Sequence, residues 1–244
     1  MKEKDNINAF NDDITNHGQY IYTDINRLSV KVVNERFLKF ISDIINLQDK
    51  TIIDIGCGDG TMSNELLMFN PKLVIGIDAA GLAIENANIN FKSDVIKFMH
   101  VNVYDMSNIF NEKFDVAIIQ RVLHHLPDPK KAIEEAMKIA DYIIIIEPNG
   151  YNPILKIIEK TSKYHIEHED MSYPPYLLNR WVNKLGCTII KRKYFNLVPI
   201  FSPDWFVRIL LFFQPLVEVI PLIRNISCGL YGLLIKSNTS PSLP

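Results

Sequence analysis

An α/β fold built on a mostly parallel sheet is predicted by three observations on this chain. Apolar, β-branched runs alternate with stretches of helical spacing from about residue 50 to residue 147. The first run, Thr51–Ile55, passes through Gly56-Cys57-Gly58-Asp59-Gly60 into a segment with Met62, Leu66 and Phe69 at helical intervals. With 244 residues, 48% of them hydrophobic, the chain is long enough to cover both faces of such a sheet.

Each element has its own reason. Residues 1–6 are charged and no apolar stretch follows, so no secretory signal is read there. Residues 25–47 predict one or two amphipathic helices, with Val32, Val33, Phe37, Phe40, Ile41, Ile44 and Ile45 on one face. Strands are predicted at Thr51–Ile55, Leu73–Asp78, 97–101, Phe114–Gln120 and 142–147. Helical stretches lie between them at 60–69, Gly81–Asn90 and 129–140, with a weaker turn at 107–110. This rhythm predicts right-handed βαβ units. Beyond Glu147 it breaks around Pro148, Pro153, Pro174 and Pro175, with helical pieces at 154–163 and 176–185. Residues 187–195 and Leu230–Lys236 supply two last strands. The expected organisation is one domain over 1–244: cap helices in 1–48, a core in 49–147, cap helices with one strand in 148–229, a last strand in 230–237 and a tail in 238–244.

Strand, glycine turn and helix together bring backbone N–H groups up to a ligand. Asp54, just before the glycines, selects that ligand, because a carboxylate repels a pyrophosphate and holds an ammonium group. S-adenosylmethionine carries an ammonium group and no phosphate. Asp78 ends the second strand, where an ionised carboxylate accepts hydrogen bonds from ribose hydroxyls. Asn102 and Val103 follow the third strand, and an amide offers both a donor and an acceptor to an adenine edge. The fourth strand runs into Gln120-Arg121-Val122-Leu123-His124-His125-Leu126-Pro127-Asp128-Pro129.

The glycine segment resembles motif I of the class I S-adenosylmethionine-dependent methyltransferases. The run after the fourth strand is similar to that of small-molecule methyltransferases of the ubiquinone and menaquinone biosynthesis type. The resemblance covers about residues 35 to 150. It implies a Rossmann-like, seven-stranded, mostly parallel sheet with helices on both faces and an α-helical cap. It also implies that Asp54, Gly56, Cys57, Gly58 and Gly60 cradle the methionine moiety and that Asp78, with Ala79 beside it, takes the ribose. Asn102 and Val103 would border the adenine, and Gln120 would meet the amino end through its backbone carbonyl. The family often has Asp where this chain has Asn102, which puts the adenine contact in doubt.

The activity this implies is methyl transfer to a small-molecule or lipid-linked acceptor, with oxygen preferred over nitrogen or carbon. The sulfonium already activates the methyl group, so alignment supplies most of the catalysis. An oxygen acceptor benefits from a base, for which His125, His165 and His168 are the candidates, while Glu147 could orient an acceptor hydroxyl. The alternatives are a protein that binds the cofactor without turnover, or an NAD-dependent oxidoreductase, which would leave Asp54 and His124-His125 without a role. The loop lacks the Lys-Ser/Thr ending of a P-loop. Tyr173-Pro174-Pro175-Tyr176 resembles the Pro-Pro-Tyr motif of amino-directed DNA methyltransferases, yet lies after the fifth strand and reads as a helix start. No metal is expected, since no His-Glu-x-x-His spacing occurs and the three cysteines are scattered. A net charge of −2 argues against a nucleic-acid partner, and a cytoplasmic setting is expected.

Within residues 195–224, the run 205–217 is apolar on all helical faces, but its charge-free core, 209–217, is too short, and Pro215 and Pro221 interrupt it, so it cannot span a bilayer as one helix. Three readings stand open: a buried wall of the acceptor pocket, a homodimer interface, or a surface lying in a membrane. The first predicts that Trp205, Phe206, Leu210, Phe212, Phe213 and Leu216 fold back over the carboxyl edge of the sheet.

Overall fold

The strands are β1 (Thr51–Ile55), β2 (Leu73–Asp78), β3 (Ile96–His100), β4 (Phe114–Gln120), β5 (Ala140–Pro148), β6 (Thr188–Phe195) and β7 (Leu230–Lys236). They form one sheet in the order β3-β2-β1-β4-β5-β7-β6. β1 to β5 are parallel to one another, while β7 runs antiparallel to both β5 and β6. The computed structural model describes residues 2–162, 165–166 and 170–238. The helices are α1 (Lys2–His17), α2 (Leu28–Ile44), α3 (Thr61–Glu65), α4 (Gly81–Asn90), α5 (Met106–Ile109), α6 (Pro129–Ile139), α7 (Pro153–Thr161), α8 (Pro175–Lys184), α9 (Asp204–Val219) and α10 (Pro221–Ser227).

Side chains alternate across a strand, so each strand feeds two cores. Ile53, Ile55, Ala117, Ile119, Ile143 and Ile145 join Met106, Ile133 and Leu178 on the face covered by α5, α6 and α8. Ile52, Val74, Val116, Ile118, Ile144 and Ile146 join Phe37, Phe40 and Ile41 of α2, and Met62 and Ile84 of α3 and α4. Strands buried on both faces read as continuous apolar runs, which is why the central ones are legible in the sequence.

Local signals set the boundaries. Asp128 caps α6 by accepting the Lys131 N–H at 3.0 Å, with Pro129 at the first helical position. Asn152 caps α7 in the same way, through Ile154 and Leu155. Tyr173-Pro174-Pro175 is a helix start, as expected, with Pro175 opening α8.

One expectation is narrowed and three features depart from the reading above. Of the one or two helices expected in residues 25–47 the fold has one, α2, because nothing between Leu28 and Ile44 breaks it. The stretch 60–69 is α3 followed by a 3-10 turn over Leu66–Phe69, closed by Asn70 in the left-handed region at φ 52. Helix α1 was not expected, since its polar sequence shows no clear apolar stripe. It is held by tertiary contacts, with the Leu82 N–H donating to Asn11 and the Asn86 amide donating to the Gly18 carbonyl. Helix α9 runs through Pro215, which removes one internal hydrogen bond but does not end a helix anchored elsewhere along its length.

Candidate functional site

The chain crosses from one side of the sheet to the other between β1 and β4, and the crevice opens at the carboxyl ends there. Strand parity decides which side chains reach it. Asp54 follows Ile52, Asp78 follows Val74 and Gly76, and Gln120 follows Val116 and Ile118, so all three share the face of α2, α3 and α4. Glu147 follows Ile143 and Ile145 and lies on the opposite face.

The loop after β1 needs its glycines. Gly56, Gly58 and Gly60 have φ of 72°, 56° and 80°. The Gly56 and Cys57 N–H groups both donate to the Ile77 carbonyl, at 2.8 and 3.0 Å, which ties the loop to the end of β2. A Cβ on Gly56 would lie 2.3 Å from Val122, and one on Gly58 would lie 2.4 Å from the Tyr20 ring. Gly60 does a different job from the one expected. A Cβ there would meet Phe98 at 2.7 Å and Ala87 at 2.8 Å, so it permits close packing beneath the loop and does not line the cavity.

Both carboxylates are organised from below. The Ser63 hydroxyl donates to Asp54 at 2.5 Å, and burial raises Asp54 to about 6, opposed by that bond and reinforced by Asp78. Asp78 accepts the Gly58 N–H at 2.9 Å and the Ala80 N–H at 2.8 Å. Burial raises its carboxyl, against the pull of these N–H bonds.

Two compartments meet at this loop. The larger, of about 100 Å³, is lined by Gly56, Gly58, Asp78, Ala79, Asn102, Val103 and His125 among others. The smaller, of about 50 Å³, is lined by Asp54, Cys57, Asp59 and Gln120. Tyr20, Tyr22 and Arg121 line both, so they stand between the two. The fold therefore brings all the expected cofactor residues except Gly60 to one groove. Asn102 turns its side-chain oxygen to the Tyr104 N–H at 3.0 Å.

The tyrosines, Arg121 and Asp59 had no signal in the sequence reading. Asp59 is buried and accepts from the Tyr20 N–H at 3.2 Å and the Thr23 hydroxyl at 2.6 Å, pinning residues 20–23 across the loop. Burial raises both tyrosine hydroxyls, with Arg121 opposing at Tyr22. The Arg121 guanidinium lies 5.2 Å from the Tyr22 ring centroid and 5.4 Å from that of Phe37. Its φ of 55° is uncommon for a residue with a side chain and marks a position held by its surroundings.

The predicted acid–base residues separate. Glu147 is fully buried and accepts the Val122 and Leu123 N–H groups, both at 2.9 Å, while His124 Nδ1 lies 2.6 Å from its other oxygen. It supports the loop after β4 from behind and does not line the cavity, for the parity reason given above. Burial pushes Glu147 up to about 8 and His124 down to about 3, so the pair holds one proton near neutrality. His125 does line the cavity, with its Nδ1 3.2 Å from Asp170 and its ring packed against Phe10. His165 stands behind it, 3.7 Å from Asp170 and 3.0 Å from the Ser162 hydroxyl, and does not line the cavity. His168 lies outside the described residues. No metal was expected, yet the fold gathers ligand atoms of His124, His125 and Asp170 within 4.8 Å of one another, a proximity that linear spacing does not reveal. No residue of 195–224 lines either compartment, which overturns the expected apolar wall.

Comparison with known proteins gives this geometry its setting. The model of a methyltransferase domain family matches residues 46–192. A tRNA U34 carboxymethyltransferase from Campylobacter fetus is 35% identical over 105 residues, 41% of this chain and 37% of that protein. A ubiquinone biosynthesis O-methyltransferase from Histophilus somni is 30% identical over 125 residues, 48% of this chain and 50% of that protein. The matched stretch thus spans half or less of these relatives' own length. An N-methyltransferase from Bradyrhizobium japonicum, solved with S-adenosyl-L-homocysteine, shares the fold at a TM-score of 0.65, with 12% identity over 96% of this chain and 100% of that one. The glycine loop, the two carboxylates on one face and the matched family model lead to one conclusion: the chain belongs to the class I, S-adenosylmethionine-dependent methyltransferases.

Proposed function

We propose that this enzyme transfers the methyl group of S-adenosylmethionine to a small-molecule or lipid-linked acceptor, with oxygen preferred as the atom methylated. The observation that carries the reading is that Asp54 and Asp78 stand in two compartments of one groove floored by the glycine loop. Asp54 and Gln120 hold the amino end, Gly56 to Gly58 contact the methionyl chain, Asp78 takes the ribose hydroxyls, and Ala79, Asn102 and Val103 border the adenine. When bound, S-adenosylmethionine supplies a methyl group already activated by its sulfonium.

The residues of this chain then position and deprotonate the acceptor. His125 is the base, with Asp170 3.2 Å from its Nδ1, because it alone of the three histidines expected in that role lines the cavity among the described residues. Phe10, Val122 and Leu126 give that end of the cavity apolar walls, which suits a small apolar acceptor. A net charge of −2 supports the same choice over a polyanion.

The test is consumption of labelled S-adenosylmethionine with three acceptor sets: hydroxylated aromatic or polyprenylated quinone precursors, amines, and total tRNA. Methylation of a hydroxyl in the first set supports the reading, and methyl transfer to tRNA alone overturns it. His125→Gln should lower kcat/KM by about 10²-fold or more with S-adenosylhomocysteine affinity within about twofold. Its acid limb should disappear from the pH profile.

A further inference from the structure

Helix α9 is apolar on both sides. Val207, Leu211, Gln214 and Glu218 recur at helical spacing on the side toward the body, where Val207 packs with Val32 and Val198 and Gln214 is buried. Trp205, Ile209, Phe212, Leu216 and Val219 recur on the opposite side, and all five are exposed, Phe212 at 79%. The polar groups of the inner side are engaged. Gln214 accepts the Leu197 N–H at 2.9 Å, and Glu218 accepts the Asn196 N–H at 3.0 Å and pairs with Arg36. Helix α10 continues the outer surface with Leu222, 81% exposed, and is tied down by its backbone, since the Asn149 amide donates to the Asn225 carbonyl at 2.8 Å and the Asn152 amide to the Ser227 carbonyl at 3.0 Å. The apolar side is thus held outward by specific polar anchors and cannot turn inward without breaking them.

We infer that this surface is a membrane-interface element that lies in the headgroup region of an anionic bilayer. Charge and geometry select this occupant. The helix pair has two carboxylates and two arginines. Glu218 is turned inward, which leaves Asp204 at the helix start against exposed Arg208 and half-buried Arg224, and exposed Lys191 and Arg192 lie on the neighbouring edge strand β6. A basic margin around an apolar helical face is the pattern of a helix lying in a lipid surface. A second copy of the chain fits less well. A two-fold contact would bring this basic margin against its own copy, with Asp204 as the one outward carboxylate of the helix pair to offset it. The outward side chains Ile209, Phe212, Leu216 and Val219 also offer none of the hydrogen bonds such an interface carries.

The surface also lies on the route to the site. It sits at the carboxyl edge, because α9 and α10 join the end of β6 to the start of β7. Phe201, just before α9, packs edge-on against His165, which contacts Asp170, which contacts His125 at the cavity. Docking there brings the acceptor end of the cavity near the lipid. No helix among the described residues is long and apolar enough to cross a membrane, so the contact is one of lying on the surface.

Vesicle co-flotation of the full chain tests the inference without reference to any acceptor. Vesicles of phosphatidylglycerol and phosphatidylcholine should retain the protein and shift Trp205 emission to the blue, and pure phosphatidylcholine should retain it less. The double variant F212E/L222E, placed at exposed positions, should reduce retention about tenfold or more with unchanged melting temperature and S-adenosylhomocysteine affinity. R208E/R224E should weaken retention on anionic vesicles alone. A wild-type protein that ignores vesicles, or one that sediments as a dimer dissociated by F212E/L222E, overturns the inference. Either outcome leaves the methyltransferase reading untouched, because cofactor binding is measured separately.

Discussion

Two regions at the same edge of one sheet solve opposite problems. At β1, β2 and β4 the chain draws polar groups inward: Asp54 and Asp59 are buried beneath or within the glycine loop, each with a hydrogen-bond partner. At β6 and β7 the connecting helices α9 and α10 send apolar groups outward and keep their carboxamide and one carboxylate inside. The first region resembles a protein interior arranged around a ligand, the second a protein interior turned to meet a medium. Hydrophobic composition alone does not tell the two apart, because burial is decided by which face of an element the fold covers.

The largest expected effect strikes the glycine loop. Gly56→Val puts side-chain atoms where a Cβ would already meet Val122 at 2.3 Å, on a backbone with φ of 72°. Loss of about 3 kcal/mol or more in denaturant unfolding, with no detectable S-adenosylhomocysteine binding, is expected. Wild-type stability would show that the loop is looser than its contacts imply.

Glu147→Ala is next, at about 3 kcal/mol, because it strands two backbone N–H groups and His124 in a buried site. The pair also sets a pH dependence. Unfolded, Glu147 titrates near 4.5 and His124 near 6.5, whereas in the fold they stand at about 8 and about 3. Between pH 4.5 and 6.5 the folded and unfolded pairs each bind one proton, so the pair makes stability flat there. Above 6.5 the unfolded pair has lost both protons and the folded pair keeps one, so stability falls as pH rises toward 8. Below 4.5 the unfolded pair binds two and the folded pair one, so stability falls again as pH drops. Glu147→Gln should abolish the alkaline slope in a melting-temperature series from pH 6 to 9.

Asp78→Ala should weaken S-adenosylhomocysteine binding by a few kcal/mol at most, measured by calorimetry. Part of that loss arises in the loop itself, since Asp78 also holds the Gly58 and Ala80 N–H groups. Unchanged affinity would remove it from the ribose site.

Phe212→Asp should have the smallest effect, within about 0.5 kcal/mol, because the side chain is 79% exposed. A burial-based reading of its apolar surroundings predicts a loss of several kcal/mol, so this one variant separates the two views of the segment. A large destabilisation would mean that α9 turns its apolar side inward in solution.

Much of the fold was legible because its causes are local. Strands β1, β2, β4 and β7 occur at the expected residues, since β-branched runs bounded by glycine and polar turns have few other solutions. The glycine loop and the three strand ends at the groove were readable for the same reason: a strand alternates with period two, so Asp54, Asp78 and Gln120 were fixed to one face once the strands were known. The same parity, applied to Glu147, would have placed it on the other face, and its assignment to the acceptor was the avoidable error.

What only the tertiary structure decided depends on contacts between residues far apart in the chain. Tyr20 and Thr23 reach Asp59 across more than 30 positions, and His125 meets Asp170 across 45, so no window of sequence contains either arrangement. Helix α9 makes the same point about sign. Its sequence determines an apolar helix, but which stripe faces water is set by distant partners: Arg36 and the Asn196 and Leu197 N–H groups, together with Val32 and Val198, which pack on Val207. Apolar area drives burial without direction, whereas hydrogen bonds and ion pairs have geometry, so with apolar side chains on both sides the directional contacts add the discrimination that apolar area lacks.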